Sequence, residues 1–194
     1  MASAQPFSSR MMKGFSLEKD ASILLEFDPS SSYEGAVRDY AMERLGAGGE
    51  LLVFTSESSP VAKVLEGNSQ ARFFLMTEKA GTSTTAGIPA EKGGATFVRN
   101  EPDVILSVLS RDLKREAPIT LTVIFDNLSN MVLLLGVEKA YKFARRAIEM
   151  IYDSGSSSLF LLVSGAHDDA ARTAIESVFR RIIVFDREGL DLKK

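Results

Sequence analysis

The stretch Ile119-Thr-Leu-Thr-Val-Ile-Phe-Asp126-Asn-Leu-Ser-Asn130 constrains the fold more than any other part of the chain. A β-branched and aromatic run ends abruptly in an acid and then a polar turn. Apolar on both faces, it suits a parallel strand covered by helices on each side, whereas a half-exposed antiparallel strand would alternate. An ionised carboxylate is costly inside such a core. Asp126 is therefore expected at the strand's C-terminal tip, where open α/β sheets place their binding crevice. An acid at that place also serves simply to cap the following turn.

Comparable units flank this strand. Ser22-Ile-Leu-Leu-Glu-Phe27 is apolar and is ended by Asp28-Pro29. Ser30, Ser31 and Ser32 then offer N-caps to a helix whose Ala36, Val37, Tyr40, Ala41 and Leu45 recur at helical spacing. Leu51 to Thr55 and Ala71 to Thr77 read as further strands, with a short helix opened within Ser56 to Pro60 between them. A long glycine-rich loop is expected over 78–95, and Asn100 is positioned to cap a helix with Pro102 in its first turn. Beyond Asp126, the apolar run Met131 to Leu135 and Gly136 precede a long amphipathic helix through Ile151. Ser158 to Val163, a helix from Asp168 or Asp169 through Phe179, and Arg181 to Asp186 complete the pattern. Strands alternating with helices predict an α/β fold: a three-layer domain with a mainly parallel central sheet and right-handed crossovers.

At 194 residues the chain has room for one such domain, expected over 15–194, behind a flexible N-terminal arm over 1–14. Apolar residues at 45% and charged residues at 25% match ordinary globular usage. A formal charge of −3 with interleaved signs implies no electropositive surface, so nucleic acid is not an expected partner. Without cysteine there is no disulfide framework, thiolate nucleophile or cysteine zinc site, and a single histidine rules out a His-rich metal centre. No apolar run approaches a membrane span and the first residues lack signal-peptide order; a cytoplasmic location is expected.

The apolar run ending in Asp126 has the form of a Walker B strand. A phosphate-binding loop would then belong after the first strand, as Gly-x-x-x-x-Gly-Lys-Ser/Thr, because glycine lets successive amides close around phosphates that lysine neutralises. This chain has Glu26-Phe-Asp-Pro-Ser-Ser-Ser-Tyr-Glu34 instead, with no glycine and no lysine. Asp28 and Glu34 add negative charge where a triphosphate would sit; like charges at about 4 Å repel by roughly 1 kcal/mol in water and several times that near a protein surface. What remains is a helix N-terminus with serine hydroxyls.

The order of these parts resembles the RecA-type ATPase fold, particularly its KaiC-like branch. The likeness runs through the strand, loop and helix at 22–45, Leu51 to Pro60, Val123 to Ser129, and the tail from Leu161 through His167-Asp168 to Asp186. In active relatives the second place carries a Glu-Glu pair that activates the attacking water; here Glu57 stands and its neighbour is Ser58. Asp126 matches the position that holds magnesium through water. The loop Leu-Leu-Glu-Phe-Asp-Pro-Ser-Ser-Ser-Tyr-Glu is also similar to that of archaeal MEDS-type sensory domains, which carry a degenerate P-loop. The resemblance implies that the 158–163 strand lies between the 22–27 and 119–126 strands.

These features imply a non-catalytic domain working by protein contacts or self-association in a regulatory, sensory or scaffolding role. It has no catalytic residues, no metal site and no required cofactor. Met131, Leu133 and Leu134 are its candidate interface, although the run containing them equally suits burial under its own helix. The alternative is a small-ligand or nucleotide sensor with Asp28, Ser30, Ser31, Ser32, Glu57 and Asp126 around its crevice. The third reading is an ATPase using ATP and magnesium.

Overall fold

A computed structural model describes residues 22–78, 90–92, 95–114 and 120–194. The expected arm, Ile119 and most of the 78–95 loop lie outside these residues.

The apolar runs form strands because each buries side chains on both faces. β1 (Ser22–Phe27), β2 (Glu50–Thr55), β6 (Leu121–Phe125) and β7 (Ser157–Val163) are buried almost throughout. β3 (Ala71–Thr77), β5 (Ala95–Arg99) and β8 (Arg181–Phe185) flank them and are partly exposed. Two three-residue strands, β4 (Ala90–Lys92) and β9 (Leu190–Leu192), close the edges. Among the described residues the sheet order is β4-β5-β3-β2-β6-β7-β1-β8-β9. All pairings are parallel except those of β4 and β9. Short antiparallel edges limit the unpaired backbone a sheet of this width presents to other chains. β7 lies between β1 and β6, as the resemblance implies.

Alternate side chains enter two cores. On one face Ile23, Leu25, Val53, Ile124 and Leu159 meet α1 (Tyr33–Gly46) and α2 (Pro60–Leu65). On the other, Leu24, Leu52, Val123 and Leu162 meet α3 (Pro102–Leu113), α4 (Leu128–Leu135), α5 (Val137–Asp153) and α6 (Asp169–Glu176). A row of phenylalanines crosses that second face: Phe74 to Phe54 at 4.7 Å, Phe54 to Phe125 at 6.3 Å, Phe125 to Phe160 at 5.6 Å and Phe160 to Phe179 at 5.3 Å between ring centres. Such pairs add about 0.5–1.5 kcal/mol each to the area they bury. The domain thus has the expected three layers. No described helix is long and apolar enough to cross a membrane.

The structure differs from the sequence reading at several elements. Ala95–Arg99 is a strand, joined to β3, where no element was expected between the 78–95 loop and the helix. Glu101, not Asn100, is the residue before α3, and the Asn100 amide donates to Thr77 O. Leu128–Leu135 is a helix of its own, capped by Asn127, whose side chain accepts from Asn130 N at 3.0 Å. Gly136, at φ 85, breaks it from α5, a conformation that any side chain would strain. α6 ends at Glu176 rather than Phe179.

Candidate functional site

The turn after β1 is built by one carboxylate. Asp28 Oδ1 accepts from both the amide (2.8 Å) and the hydroxyl (2.7 Å) of Ser30. Its carbonyl accepts from the Ser31 amide at 2.9 Å and from the Ser31 hydroxyl. Pro29 has no amide to offer. Arg187, from the turn before β9, donates to Ser30 Oγ at 3.0 and 2.9 Å and lies 3.7 Å from Asp28 Oδ2. The Ser30 donors, with help from Arg187, hold the Asp28 carboxyl below its ordinary value. Ser32 occupies the N-cap position of α1, but its side chain makes no capping bond, and neither Ser30 nor Ser31 serves as the cap. Immediately beyond, the Tyr33 ring stacks on Phe27 at 3.8 Å. Burial, reinforced by the charges of Asp126 and Glu34, raises its phenol to about 12.

Asp126 follows β6, as expected of a strand-tip acid, but it is enclosed. It is 5% exposed. Its Oδ2 accepts from the Thr55 hydroxyl at 2.8 Å and from Ser59 Oγ. Ser59 also caps α2 by accepting from Val61 N at 3.0 Å, so one hydroxyl ties two elements to the acid. Burial raises the Asp126 carboxyl, against the opposing pull of Ser59, Thr55 and Asn127. The Asp126–Asn127 peptide is cis.

Asp28 and Asp126 share the C-terminal edge of the sheet without meeting. Phe125 lies level with Phe160 and so with Leu24. Asp28 therefore stands two strands away, about 10 Å across the sheet, and roughly another 10 Å further along it. Tyr33 belongs to this edge as well: its ring packs on Phe27, and the charge of Asp126 acts on its phenol. Glu57 is exposed in the turn after β2. Of the residues expected around one crevice, Asp28, Ser30 and Ser31 build the turn after β1, Ser32 precedes α1, Glu57 is exposed and Asp126 is enclosed.

An open cleft at this edge lies on the β3 and β5 side of Asp126. It has a volume of about 370 Å³, and Ser56, Asn100, Asp126, Asn127 and Asn130 line it together with Leu133 and Leu134. Those leucines are 66% and 56% exposed. Met131, grouped with them as an interface residue, is 1% exposed and belongs to the core. One helical turn puts Leu128, Met131 and Val132 inward and the two leucines outward.

Sequence reading missed the hydroxyls of Thr55 and Ser59, although Ser59 before Pro60 is a cap-and-first-turn signature. It also missed the pairing of Ser129 with His167. Ser129 Oγ accepts from Val163 N at 2.8 Å and lies 2.9 Å from His167 Nε2. Ser129 is 2% exposed, so the contact fastens α4 to the end of β7. Burial lowers the His167 pKa, and Asp168 opposes that shift. Asp168 itself caps α6, accepting from Ala171 N at 2.7 Å. Among the described residues no group of acids and histidine is arranged to hold a metal ion.

No protein-family model matches the sequence, and no curated protein does. Solved structures do. A KaiC-like protein of the hyperthermophilic archaeon Pyrococcus horikoshii superposes with a TM-score of 0.61 at 13% identity, over 97% of this chain and 84% of that one. A second Pyrococcus horikoshii protein, known from a structural study, gives 0.63 at 12% identity, over 96% and 91%. At such identities the likeness concerns the fold alone: a three-layer α/β domain like that of the KaiC-like protein.

Proposed function

We propose that this domain is a pseudo-ATPase: a non-catalytic RecA/KaiC-like module with a degenerate phosphate loop. It acts in regulation, sensing or scaffolding through contacts with a protein partner or its own copies. The observation that carries this reading is the turn between β1 and α1. A phosphate cradle needs consecutive amides turned toward the ligand, with a lysine to neutralise it. Here the Ser30 and Ser31 amides are bonded to Asp28, Pro29 has none, and the nearby cation, Arg187, is engaged with Ser30 and Asp28. Tyr33 packs where the helix would begin to hold phosphate. Asp126, the residue expected to position magnesium, already accepts from two buried hydroxyls. These residues do not fit a magnesium nucleotide.

The exposed pair Leu133 and Leu134 supports the contact half of the proposal, since solvated leucines side by side are an apolar surface without a described partner. The cleft beside Asp126 supports a second reading, a sensor of a small molecule, because three asparagine amides converge there beside that apolar wall.

Phosphate release from ATP with magnesium tests the non-catalytic claim. The parent chain, Glu57→Ala, Asp126→Ala and Ser32→Lys are all expected at background. Phosphoryl transfer needs amide cradle, lysine and metal together, so one added lysine restores nothing. Turnover by the parent that disappears in Asp126→Ala overturns the reading.

A further inference from the structure

A second cavity opens at the opposite edge of the sheet, by the N-terminal ends of β1 and β7, with a volume of about 280 Å³. Three serines contribute to it: Ser22 and Ser158, register partners on adjacent strands, and Ser156 just before β7. All three are at least nine-tenths buried. Ser156 Oγ bonds Ser154 Oγ at 2.9 Å. Ser158 Oγ, fully buried, has no hydrogen-bond partner among the described residues. A hydroxyl left this way costs about 1–3 kcal/mol, an unusual expense in the middle strand of a sheet.

Of the charges around the cavity, Glu149 is paired with Arg145 and Arg146, whereas two others are unmatched among the described residues. The last turn of α5 brings Asp153 to it, at the negative end of a 17-residue helix with no basic residue in that turn. Arg180, from the turn before β8, also lines it. Its guanidinium carbon lies over the Tyr152 ring, 5.1 Å from the ring centre, a cation–π contact that still leaves the guanidinium N–H groups able to donate to a carboxylate. No ion pair joins Arg180 to Asp153 among the described residues, although both line one cavity. Ile148 and Ile151 supply an apolar wall between them.

We propose that this cavity binds a small zwitterion of the free amino-acid class. Its carboxylate meets Arg180, its ammonium meets Asp153 and the helix end, its polar atoms reach the serine hydroxyls, and a short apolar side chain lies against Ile148 and Ile151. Such a ligand satisfies at once an orphan hydroxyl, an unpaired cation and an uncompensated acid. A lone anion would face Asp153 and the helix's negative end, and a lone cation would face Arg180.

The test uses the full chain. The twenty standard L-amino acids at millimolar concentration are screened by thermal shift, because a ligand bound only to the folded state raises the melting temperature. Hits are titrated by calorimetry beside the matching amine without carboxylate and the matching acid without amine. At least one amino acid is expected to bind saturably, with affinity reduced about tenfold or more in Arg180→Gln, in Asp153→Asn and in both truncated analogues. Arg180 and Asp153 are exposed, so these variants fold. Ser158→Ala adds a second check: it weakens binding without lowering stability, since it removes the orphan hydroxyl. Three results overturn the proposal: no binding by any amino acid, binding indifferent to Arg180→Gln and Asp153→Asn, or an acid lacking the amine that binds as well as the amino acid.

Discussion

Glu26 lies in β1, between β7 and β8, and is 4% exposed. Burial, then a hydrogen bond to Glu176 and that residue's charge, raises its carboxyl to about 7, with Lys193 and Arg172 opposing. Glu176, despite its own burial, is held low by Lys193 and Glu26; Lys193 Nζ lies 2.6 Å from Glu176 Oε1 and 3.6 Å from Glu26 Oε1. A carboxyl whose folded value exceeds its ordinary 4.5 binds a proton in the native state that the unfolded chain has already lost. Stability therefore falls as pH rises from about 4.5 to about 7. Glu26→Gln is expected to remove a loss on the order of 1–3 kcal/mol across that window, read by urea unfolding at a series of pH values. Parallel pH curves for parent and variant contradict the assignment. Asp126 follows the same sign, its burden growing as pH rises through its raised pKa. Asp126→Asn keeps an acceptor for Thr55 and Ser59 and removes the buried charge, so it is expected to match or exceed the parent at neutral pH. Asp126→Ala strands both hydroxyls and costs about 1–3 kcal/mol.

At the scale of elements, α4 is the segment on which function and packing divide. Leu133→Asp with Leu134→Asp is expected to leave unfolding free energy within about 0.5 kcal/mol of the parent, as exposed substitutions do. Met131→Asp, which buries a charge, costs about 3 kcal/mol or more. Light scattering supplies the functional half: a parent larger than a monomer, reduced to monomer by the two outward aspartates. A monomeric parent removes self-association from the proposal, and unfolding by those aspartates contradicts the outward orientation. This division was not legible in the sequence, because five consecutive apolar residues carry no period that distinguishes a helix's two faces. The strands β1, β2, β6 and β7 were legible because they are buried on both sides and read as continuous runs. β5 was not, since Ala95–Arg99 is short, partly exposed and next to a glycine pair.

For the whole molecule, alternation of elements was enough to predict a three-layer, mainly parallel fold, and the place of β7 between β1 and β6 followed from the family resemblance. The candidate site was less legible. That Asp28 and Asp126 share an edge follows from topology, but their separation depends on register, which spacing does not carry. Likewise the missing glycines announced an altered turn, while the filling of the gap by Tyr33 against Phe27 is a matter of packing. The account's central claim is that this turn no longer receives a nucleotide's phosphates, and titration calorimetry with ATP and ADP, with and without magnesium, tests it most directly. The account predicts no heat of binding at micromolar nucleotide in any of the four titrations. Micromolar, magnesium-dependent binding that is lost in Asp126→Ala contradicts it.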